Sequence, residues 1–282
     1  MKKYKEKIMQ GVFLLSACTS ILAVLLICIF LFANGIPTMK EIGFLDFLFG
    51  KTWRPGNNIY GILPMILGSI YVTAGAVIIG VPIGIFTAVF MARFCPKKLY
   101  RMMKPAVELL AGIPSVIYGF FGMVVLVPFI RVHLGGDGNS ILTASLLLGM
   151  MILPTIINVS EAAIRAVPES YYEGALALGA THERSVFFTV VPAAKSGIFA
   201  SVVLGIGRAL GETMAVIMVV GNQARMPKGL LKGVRTLTAN IVTEMGYAAD
   251  LHREALIATA VVLFIFILII NVSLSLIKRR SR

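Results

Sequence analysis

The sequence predicts an all-α, polytopic membrane protein with six transmembrane helices. Hydrophobic residues make up 58% of the 282-residue chain and charged residues only 14%, whereas soluble domains carry about 25% charged residues. The mean hydropathy is +0.90, and six apolar runs each reach the roughly 20 residues that a helix needs to cross the hydrocarbon core. No intervening segment is polar and long enough for a soluble domain, so we expect a single membrane domain over residues 1–282.

The first apolar run, about 11–34, follows the lysine-rich segment MKKYKEK. A cleaved signal peptide has an apolar region of only about 7–15 residues, so the length of this run favours an uncleaved spanning helix. The stretch LSAC, which ends at Cys18, leaves lipoprotein cleavage as an alternative, although residues 19–33 stay apolar. The other five runs cover about 61–92, 106–130, 141–160, 197–221 and 255–277.

Basic residues predict the orientation of these spans. Six spans put both termini on one side, and that side carries sixteen Lys and Arg residues against nine on the other. Because cytoplasmic loops are enriched in Lys and Arg, we expect both termini in the cytoplasm, although the basic segment 223–254 opposes this orientation. The net charge of +13 is then explained by membrane topology rather than by nucleic-acid binding, for which no recognition motif is present. The three cysteines are scattered and show no metal-ligand spacing.

The polar segment of about 161–196 predicts a short surface helix on the cytoplasmic side. Pro168 is suited to a helix start, and Glu169 and Glu173 place negative charge in the early turns. Gly179 is suited to the helix end, and Pro192 begins the return to the membrane. Periodicity alone favours an ordinary amphipathic loop for this segment.

Arg208 and Glu212 stand out because they lie inside the fifth apolar run. A charge at bilayer depth costs about 2.5–3.5 kcal/mol on insertion scales, and such residues usually face a bundle interior or a cavity. The four-residue spacing predicts one helix face, with the two residues about 6 Å apart along the axis. Three interpretations remain open from the residues alone: a structural ion pair, a solute pathway, or a misplaced span boundary.

The chemistry of the pair favours a pathway for an anion. The planar guanidinium of Arg208 keeps its charge and matches the oxygens of a phosphate group, and Glu212 would hold it in place and weaken its grip. The neighbouring Gly207 and Gly211, like Gly80 and Gly84, have the small-xxx-small spacing that allows close helix packing.

Several motifs resemble a known family. Glu173, Ala175, Gly179 and Pro192 keep the spacing of the EAA loop of ABC importer permeases, with departures at Gly174, Thr189 and Val191. The segments ELLAGIPSVIYGFFG (108–122), GRALGETMAVIMVVGN (207–222) and VRTLTANIVTEMG (234–246) resemble the permeases of phosphate importers, and GRALGETMA is closest to the PstC type. The resemblance extends over roughly residues 53–280.

This resemblance implies a type I ABC importer permease fold and a set of partners. The EAA loop would insert into a groove on a separate ATPase, present in two copies that bind ATP and Mg²⁺. A second permease of the PstA type and an extracytoplasmic phosphate-binding protein would complete the importer in a bacterial cytoplasmic membrane, and Arg208 would face the translocation path. The chain has no G-x-x-x-x-G-K-[ST] motif, so we expect it to bind no ATP, metal or other cofactor itself.

Other functions remain alternatives at this stage. The chain could transport another oxyanion such as sulfate or molybdate, act as a membrane-embedded enzyme using Glu212, or serve as a membrane scaffold. Lys228, Lys232 and Arg235 in segment 223–254 have helical spacing. They would either gather anions and dock the binding protein, or form a solvated basic face.

Overall fold

The structure is a computed structural model that describes residues 2–280, with the side chains of residues 6, 7, 9–273 and 276. Almost all of this part is helical. The helices are α1 (Lys2–Ile42), α2 (Phe44–Phe49), α3 (Leu63–Val89), α4 (Lys97–Gly112), α5 (Ser115–Phe121), α6 (Val127–Leu134), α7 (Ile141–Arg165), α8 (Glu169–Ala177), α9 (His182–Ser185), α10 (Val191–Ala193), α11 (Lys195–Gly211), α12 (Met214–Val219), α13 (Leu237–Met245) and α14 (Asp250–Arg280). Two short antiparallel strands, β1 (Trp53–Arg54) and β2 (Ile59–Tyr60), form a hairpin.

Five helical segments within the described residues are long and apolar enough to cross a membrane: Met9–Ile42, Leu63–Phe94, Ser115–Leu134, Ile141–Arg165 and Asp250–Ser273. A sixth span results if His182–Ala193 and Lys195–Gly211, which meet at a bend of 68°, are counted together. The predicted all-α class with six spans is therefore confirmed. Short helices and turns connect the spans at both ends of the bundle.

The centre of the bundle is the pair of helices α3 and α7. Small residues on α3 allow this close approach: a Cβ atom on Gly80 would lie 2.8 Å from the carbonyl oxygen of Gly149, and one on Gly84 would lie 2.7 Å from Ile156. The hydroxyl of Ser145 donates a hydrogen bond of 3.1 Å to the carbonyl of Val72 across the same interface. Small residues at helix contacts stabilise membrane bundles because they let backbones pack closely.

Replacing Gly80 by Ala is expected to destabilise the protein. The new methyl group would overlap the backbone of α7, and overpacking of this kind costs about 1–3 kcal/mol. The midpoint of thermal unfolding in detergent should fall. Gly11→Ala is the matched control, because nothing lies within 4 Å of a Cβ atom at Gly11. Equal midpoints for the two variants would contradict this account of the α3–α7 contact.

Helix α1 packs on the bundle only near its carboxyl end. There the rings of Phe32 and Phe264 meet edge to face at 5.9 Å, and a Cβ atom on Gly35 would lie 2.6 Å from Val261 of α14. The most apolar window of the α1 span buries none of its residues against the described chain. Most of this helix is therefore left for contact with lipid or with another chain.

The predicted third span, 106–130, is wrong in its bounds. Ile113 and Pro114 have extended backbones and separate the amphipathic helix α4 from α5. The residue before a proline is disfavoured in the helical conformation, which accounts for the break. The third span instead begins at Ser115 and ends at Leu134.

The predicted fifth span, 197–221, is also wrong as one continuous helix. Helix α11 ends at Gly211, Glu212 is extended, and α12 begins only at Met214. The hydroxyl of Thr213 donates to the carbonyl of Gly211, and the carboxylate of Glu212 accepts from the amide of Thr213. These local side-chain hydrogen bonds compete with the helical pattern and interrupt it. The predicted fourth span, 141–160, is longer in the structure and ends at Arg165.

Candidate substrate pathway and coupling loop

The break between α11 and α12 determines where the two charges of the fifth run lie. Arg208 is in the last turn of α11, where a positive charge suits the helix dipole. Glu212 lies beyond the helix, and its carboxylate accepts 3.2 Å hydrogen bonds from the amides of Thr213 and Ala215. The prediction that both residues share one helix face is therefore wrong, because the helix ends between them.

Arg208 and Glu212 are not among the ion pairs formed within residues 2–280. The guanidinium of Arg208 donates instead to the hydroxyl of Thr155 on α7, at 3.2 Å. Both charged side chains are half-buried. An interrupted helix with exposed polar ends at membrane depth is tolerated only where it is buried in protein or lines a cavity, and such breaks form the substrate sites of many transporters.

The wall of the bundle beside Arg208 is open. Nothing lies within 4 Å of a Cβ atom at Gly207 or Gly211, so a side chain added at either glycine would contact no other described element. The close packing predicted from their spacing is therefore not found here, in contrast to Gly80 and Gly84. Leu204, one turn before Arg208, is also exposed. This face is available to a solute or to a second chain.

A row of polar residues runs along α7 from Arg208 towards the end that carries the 161–196 segment. Thr155, Asn158 and Glu161 are spaced by three residues and extend over about 9 Å of the helix. The first binds Arg208, and the other two accept hydrogen bonds of 2.9 and 3.0 Å from the ammonium group of Lys104. We call these three residues the α7 polar row. The row binds the cationic side chains of Arg208 and Lys104 one after the other along α7.

Glu161 is the most buried member of this row, with 2% of its side chain exposed. Its carboxylate accepts hydrogen bonds from the Tyr100 hydroxyl at 2.7 Å, Lys104 Nζ at 3.0 Å and Arg165 Nε at 2.8 Å. The hydrogen bond to Glu161, together with burial, raises the pKa of Tyr100, so the phenol keeps its proton and remains a donor. Arg165 also stacks over the Tyr100 ring and donates to the carbonyl of Met91. This network joins α4, α7 and the π-helical turn Phe90–Phe94 that follows α3.

The predicted surface helix in segment 161–196 is present as α8. Pro168 precedes it, and Gly179 follows it with a positive φ of 86°. The amide of Gly179 donates to the carbonyl of Leu176 at 2.8 Å, and that of Ala180 donates to Ala175 at 3.1 Å. This is a Schellman ending, which favours glycine because it requires the left-handed backbone conformation. Pro192 lies in α10, at the return to the bundle.

Two contacts fix α8 to the bundle. Arg93, in the π-helical turn Phe90–Phe94 after α3, forms an ion pair of 2.9 Å with Glu169 at the start of α8. The hydroxyl of Tyr172 lies 2.7 Å from Nδ1 of His182 in α9. Glu173 and Ala175, two residues of the resemblance, follow these contacts along α8, and no residue of α8 is buried.

The end of α8 projects an apolar surface away from the bundle. Leu178 is 91% exposed, and Phe188, later in the same 161–196 segment, is 77% exposed. Tyr171 and Leu176 are exposed on the same segment. Outside a membrane, a cluster of exposed apolar side chains of this kind marks a site of protein interaction.

Residues 80–282 match the family described as binding-protein-dependent transport system inner membrane component. The chain belongs to this family. Members are membrane components of binding-protein-dependent transporters, so this chain is a multi-pass transport protein of the ABC importer permease class.

Curated relatives of this transport component cover most of its length. It is 38% identical to the probable ABC transporter permease protein YqgH of Bacillus subtilis, over 93% of this chain and 89% of that protein. It is 36% identical to the phosphate transport system permease protein PstC of Mesorhizobium japonicum, over 86% of this chain and 81% of the relative.

Solved importer structures share its fold. An inward-facing form of the MetNI methionine ABC transporter superposes with a TM-score of 0.65 at 21% identity, over 82% of this chain and all of that one. A bacterial alginate ABC transporter superposes with a TM-score of 0.63 at 16% identity, over 97% and 96% of the two chains. At these identities the likeness establishes the fold alone.

At the opposite end of this permease, Glu244 holds a second polar cluster together. Its carboxylate accepts a 2.8 Å hydrogen bond from the indole of Trp53, lies 2.8 Å from Nε2 of His252 and pairs with Arg235. Trp53 and Tyr60 pack edge to face at 5.5 Å beside it. The cluster fastens the β-hairpin to α13 and α14.

This cluster corrects the prediction for the basic segment 223–254. Residues 221–236 are not helical, so Lys228, Lys232 and Arg235 do not share a helix face. Arg235 points into the protein and binds Asn240 and Glu244, whereas Lys228 and Lys232 are exposed. An anion-gathering or docking role for the two lysines stays a prediction.

Replacing Glu244 by Gln is expected to change the fluorescence of Trp53, the only tryptophan. The neutral amide leaves Arg235 without its charge partner, and a lost hydrogen bond to a charged group costs about 1.5–3 kcal/mol. We expect a shifted emission maximum and a lower thermal midpoint. Glu254→Gln is the control, because its side chain is exposed and accepts only a long bond of 3.4 Å from Thr38. Unchanged emission in Glu244→Gln would contradict this role.

Sequence reasoning missed the α7 polar row and the Glu161 network. The signal was present: Thr155, Asn158 and Glu161 recur at three-residue intervals at the end of an apolar run, and such spacing places polar groups on one helix face. The sequence did not indicate that Lys104 is the partner of Asn158 and Glu161, because this contact depends on how α4 folds back onto α7. The functional roles predicted for Arg208, Glu212 and the four loop residues stay predictions.

Proposed function

We propose that this chain is the membrane-spanning subunit of an ATP-driven importer of inorganic phosphate and forms half of its translocation pathway. The observation that carries the proposal is Arg208 at a helix break, beside Gly207 and Gly211, where a Cβ atom would have nothing within 4 Å. A planar, permanently charged guanidinium suits the oxygens of phosphate. The similarity to relatives named as phosphate transport permeases supports this substrate over sulfate or molybdate.

The α7 polar row supplies a route from Arg208 towards the coupling end. Lys104 of α4 is the next cationic side chain that contacts α7. Glu161 and Asn158 accept its hydrogen bonds and hold it in place. A carboxylate beside a cation moderates its attraction, so that a transported anion is released rather than trapped. Glu161 has this role near Lys104, whereas Glu212 accepts from the amides of Thr213 and Ala215 and forms no ion pair with Arg208 among the described residues.

The partners follow from the incomplete pathway and from energetics. The open face at Gly207 and Gly211 requires a second permease, for which we propose a PstA-type subunit. An inside-negative potential opposes entry of an anion by about 2.3 kcal/mol per charge per 100 mV, so transport needs an energy source. We propose two copies of an ATPase that bind ATP and Mg²⁺, and an extracytoplasmic phosphate-binding protein. This chain itself binds no cofactor.

The coupling loop is the proposed contact with the ATPase. Helix α8 presents Leu178 to the outside while Arg93 and His182 hold it to the bundle. Opening and closing of the ATPase would move α8 and so expose the Arg208 site to either side in turn, as a two-state element biased by nucleotide. The loop then lies in the cytoplasm of a bacterium, together with both chain termini. Of the terminal basic side chains, Lys7 is described and exposed, and the others lie outside the described residues.

Reconstitution tests the proposal. The chain and its companion subunits in proteoliposomes, with the binding protein and ATP, should take up radiolabelled phosphate. A large excess of unlabelled phosphate should abolish the radiolabel signal, and the same excess of sulfate should not. Competition by sulfate or molybdate at equal concentration would overturn the assignment of substrate, and absence of ATP-dependent uptake would overturn the assignment of function.

Replacing Leu178 by Asp is expected to release the ATPase without unfolding the chain. The side chain is 91% exposed, so the change costs the fold little, but it places a charge in a buried apolar contact of the complex. The amount of ATPase that co-purifies should fall at least about tenfold. Leu230→Asp, at an exposed leucine in the basic segment 223–254, should leave co-purification unchanged. Equal retention in both variants would contradict docking at α8.

A further inference from the structure

Helix α4 has three distinct faces. One face packs against α7 and the end of α3 through Tyr100, Met103 and Val107, with Lys104 bound to Glu161. This face anchors the helix at the same end of the bundle as the coupling loop, because Arg93, just before α4, pairs with Glu169 of α8. The other two faces are open.

The second face of α4 is basic. Lys97, Lys98 and Arg101 are all exposed. In the part of the chain that the structure describes, none of these three side chains forms an ion pair, whereas Lys104 is paired with Glu161 and weakly with Glu108. Three uncompensated cations within two helical turns attract an anionic group, and their long side chains can extend to reach it.

The third face is apolar and continues into a cavity. Leu99, Met102, Leu109 and Leu110 are exposed along one side of α4. Leu110 also forms part of the wall of a cavity of about 430 Å³ that lies between α4, α5 and α7. Its walls are almost entirely carbon, with Ile117, Phe121 and Met150 on the other sides.

We propose that α4 binds an anionic phospholipid in the leaflet at the coupling-loop end of the bundle. The ligand must be both negatively charged and apolar, because the cations and the apolar stripe occupy adjacent sides of one helix. The headgroup phosphate contacts Lys97, Lys98 and Arg101, and an acyl chain lies along Leu109 and Leu110 in the cavity. Basic helices with an apolar face bind anionic membrane surfaces in this orientation, and each basic residue near the surface contributes to the affinity.

The position of α4 gives this lipid access to the transport machinery. Tyr100 and Lys104, on the same turns of α4 as Arg101, bind Glu161, which also holds Arg165 at the start of the coupling segment. A lipid that holds α4 against the bilayer therefore stabilises the α4–α7 contact. The inference uses the proposed function only to name the coupling end, and lipid binding itself does not depend on phosphate transport.

Native mass spectrometry of the full chain in mixed detergent and lipid tests the inference. Phosphatidylglycerol should remain bound at least about ten times more than phosphatidylcholine. The variant Lys97→Gln, Lys98→Gln, Arg101→Gln should lose this preference. The matched control removes three exposed charges elsewhere in the chain, by Arg225→Gln, Lys228→Gln and Lys232→Gln. This control should keep the preference for phosphatidylglycerol. Ile117→Trp, which fills the cavity, should weaken retention with the charges intact.

Several outcomes would overturn the inference. Equal loss of bound phosphatidylglycerol in the two triple variants would show a general effect of net charge. Release of the lipid by millimolar inorganic phosphate, with no effect of Ile117→Trp, would show an ion site rather than a lipid site. Protection of residues 97–110 from hydrogen exchange by the second permease, without added lipid, would show that a protein occupies this face. Because binding is measured without transport, a failed uptake assay leaves this result unaffected.

Discussion

Replacing Arg208 by Gln is expected to reduce phosphate uptake by at least about 100-fold while the complex still assembles. Charge-assisted hydrogen bonds contribute about 1.5–3 kcal/mol each, and a bidentate contact with phosphate provides two of them. Among the described residues, the Arg208 side chain makes a single hydrogen bond, to Thr155 at 3.2 Å, so its removal costs little folding free energy. Radiolabelled uptake in proteoliposomes measures the effect, and size-exclusion chromatography checks assembly.

Two further variants make the Arg208 experiment decisive. Arg208→Lys keeps the charge but loses the planar fork, so it should retain part of the uptake. Arg225→Gln removes an exposed arginine of the external segment and should retain all of it. Persistent phosphate uptake in Arg208→Gln would show that Arg208 is not part of the substrate pathway, regardless of the results for the other two variants.

Replacing Glu161 by Ala is expected to have the largest effect on stability. The carboxylate is buried and accepts from Tyr100, Lys104 and Arg165. Removing one partner of a buried ion pair costs about 3–5 kcal/mol, because the remaining charge is left uncompensated. Thermal unfolding in detergent should show a large drop in midpoint. ATP hydrolysis by the assembled transporter should respond less to substrate, since α4 and the coupling segment lose their common anchor.

Glu108→Ala provides the comparison for Glu161. Glu108 also pairs with Lys104, but at 4.0 Å and with 60% of its side chain exposed. An exposed pair of this kind contributes about 0–1 kcal/mol, so the midpoint should hardly move. Adding Lys104→Met to Glu161→Ala should recover part of the lost stability, because it removes one uncompensated charge. Similar midpoints for the two single Ala variants would show that burial of Glu161 does not control stability.

The fold was largely accessible from the sequence. Apolar runs of at least 20 residues specify spans because unpaired backbone groups are costly in lipid, and this physical constraint does not depend on tertiary contacts. The α8 helix followed from equally local chemistry, since Pro168 and Gly179 restrict the backbone at its two ends. The chain topology across the membrane, inferred from basic residues, remains a prediction.

The predictions that were wrong concern positions where hydrogen bonds or ion pairs of side chains override the helix expected from the sequence pattern. At Glu212 and Thr213, local hydrogen bonds to the backbone interrupt a run whose composition suits a continuous helix. Arg235 pairs with Glu244 of α13 instead of sharing a helix face with Lys228 and Lys232, and the helical spacing did not indicate this partner. The α7 polar row was visible as a pattern, but its partners come from α4 and α11, which are brought to it only by the fold.

The open face at Gly207 and Gly211 has a consequence for the lifetime of this protein in cells that lack the second permease. A subunit that meets the bilayer alone would expose the Arg208 site directly to hydrocarbon, where an uncovered guanidinium is unfavourable. We expect the orphan chain to be recognised by membrane quality-control proteases and cleared, so that its abundance follows that of its companion. Its half-life in cells lacking the second permease should therefore be much shorter, and production of both from one messenger would be advantageous.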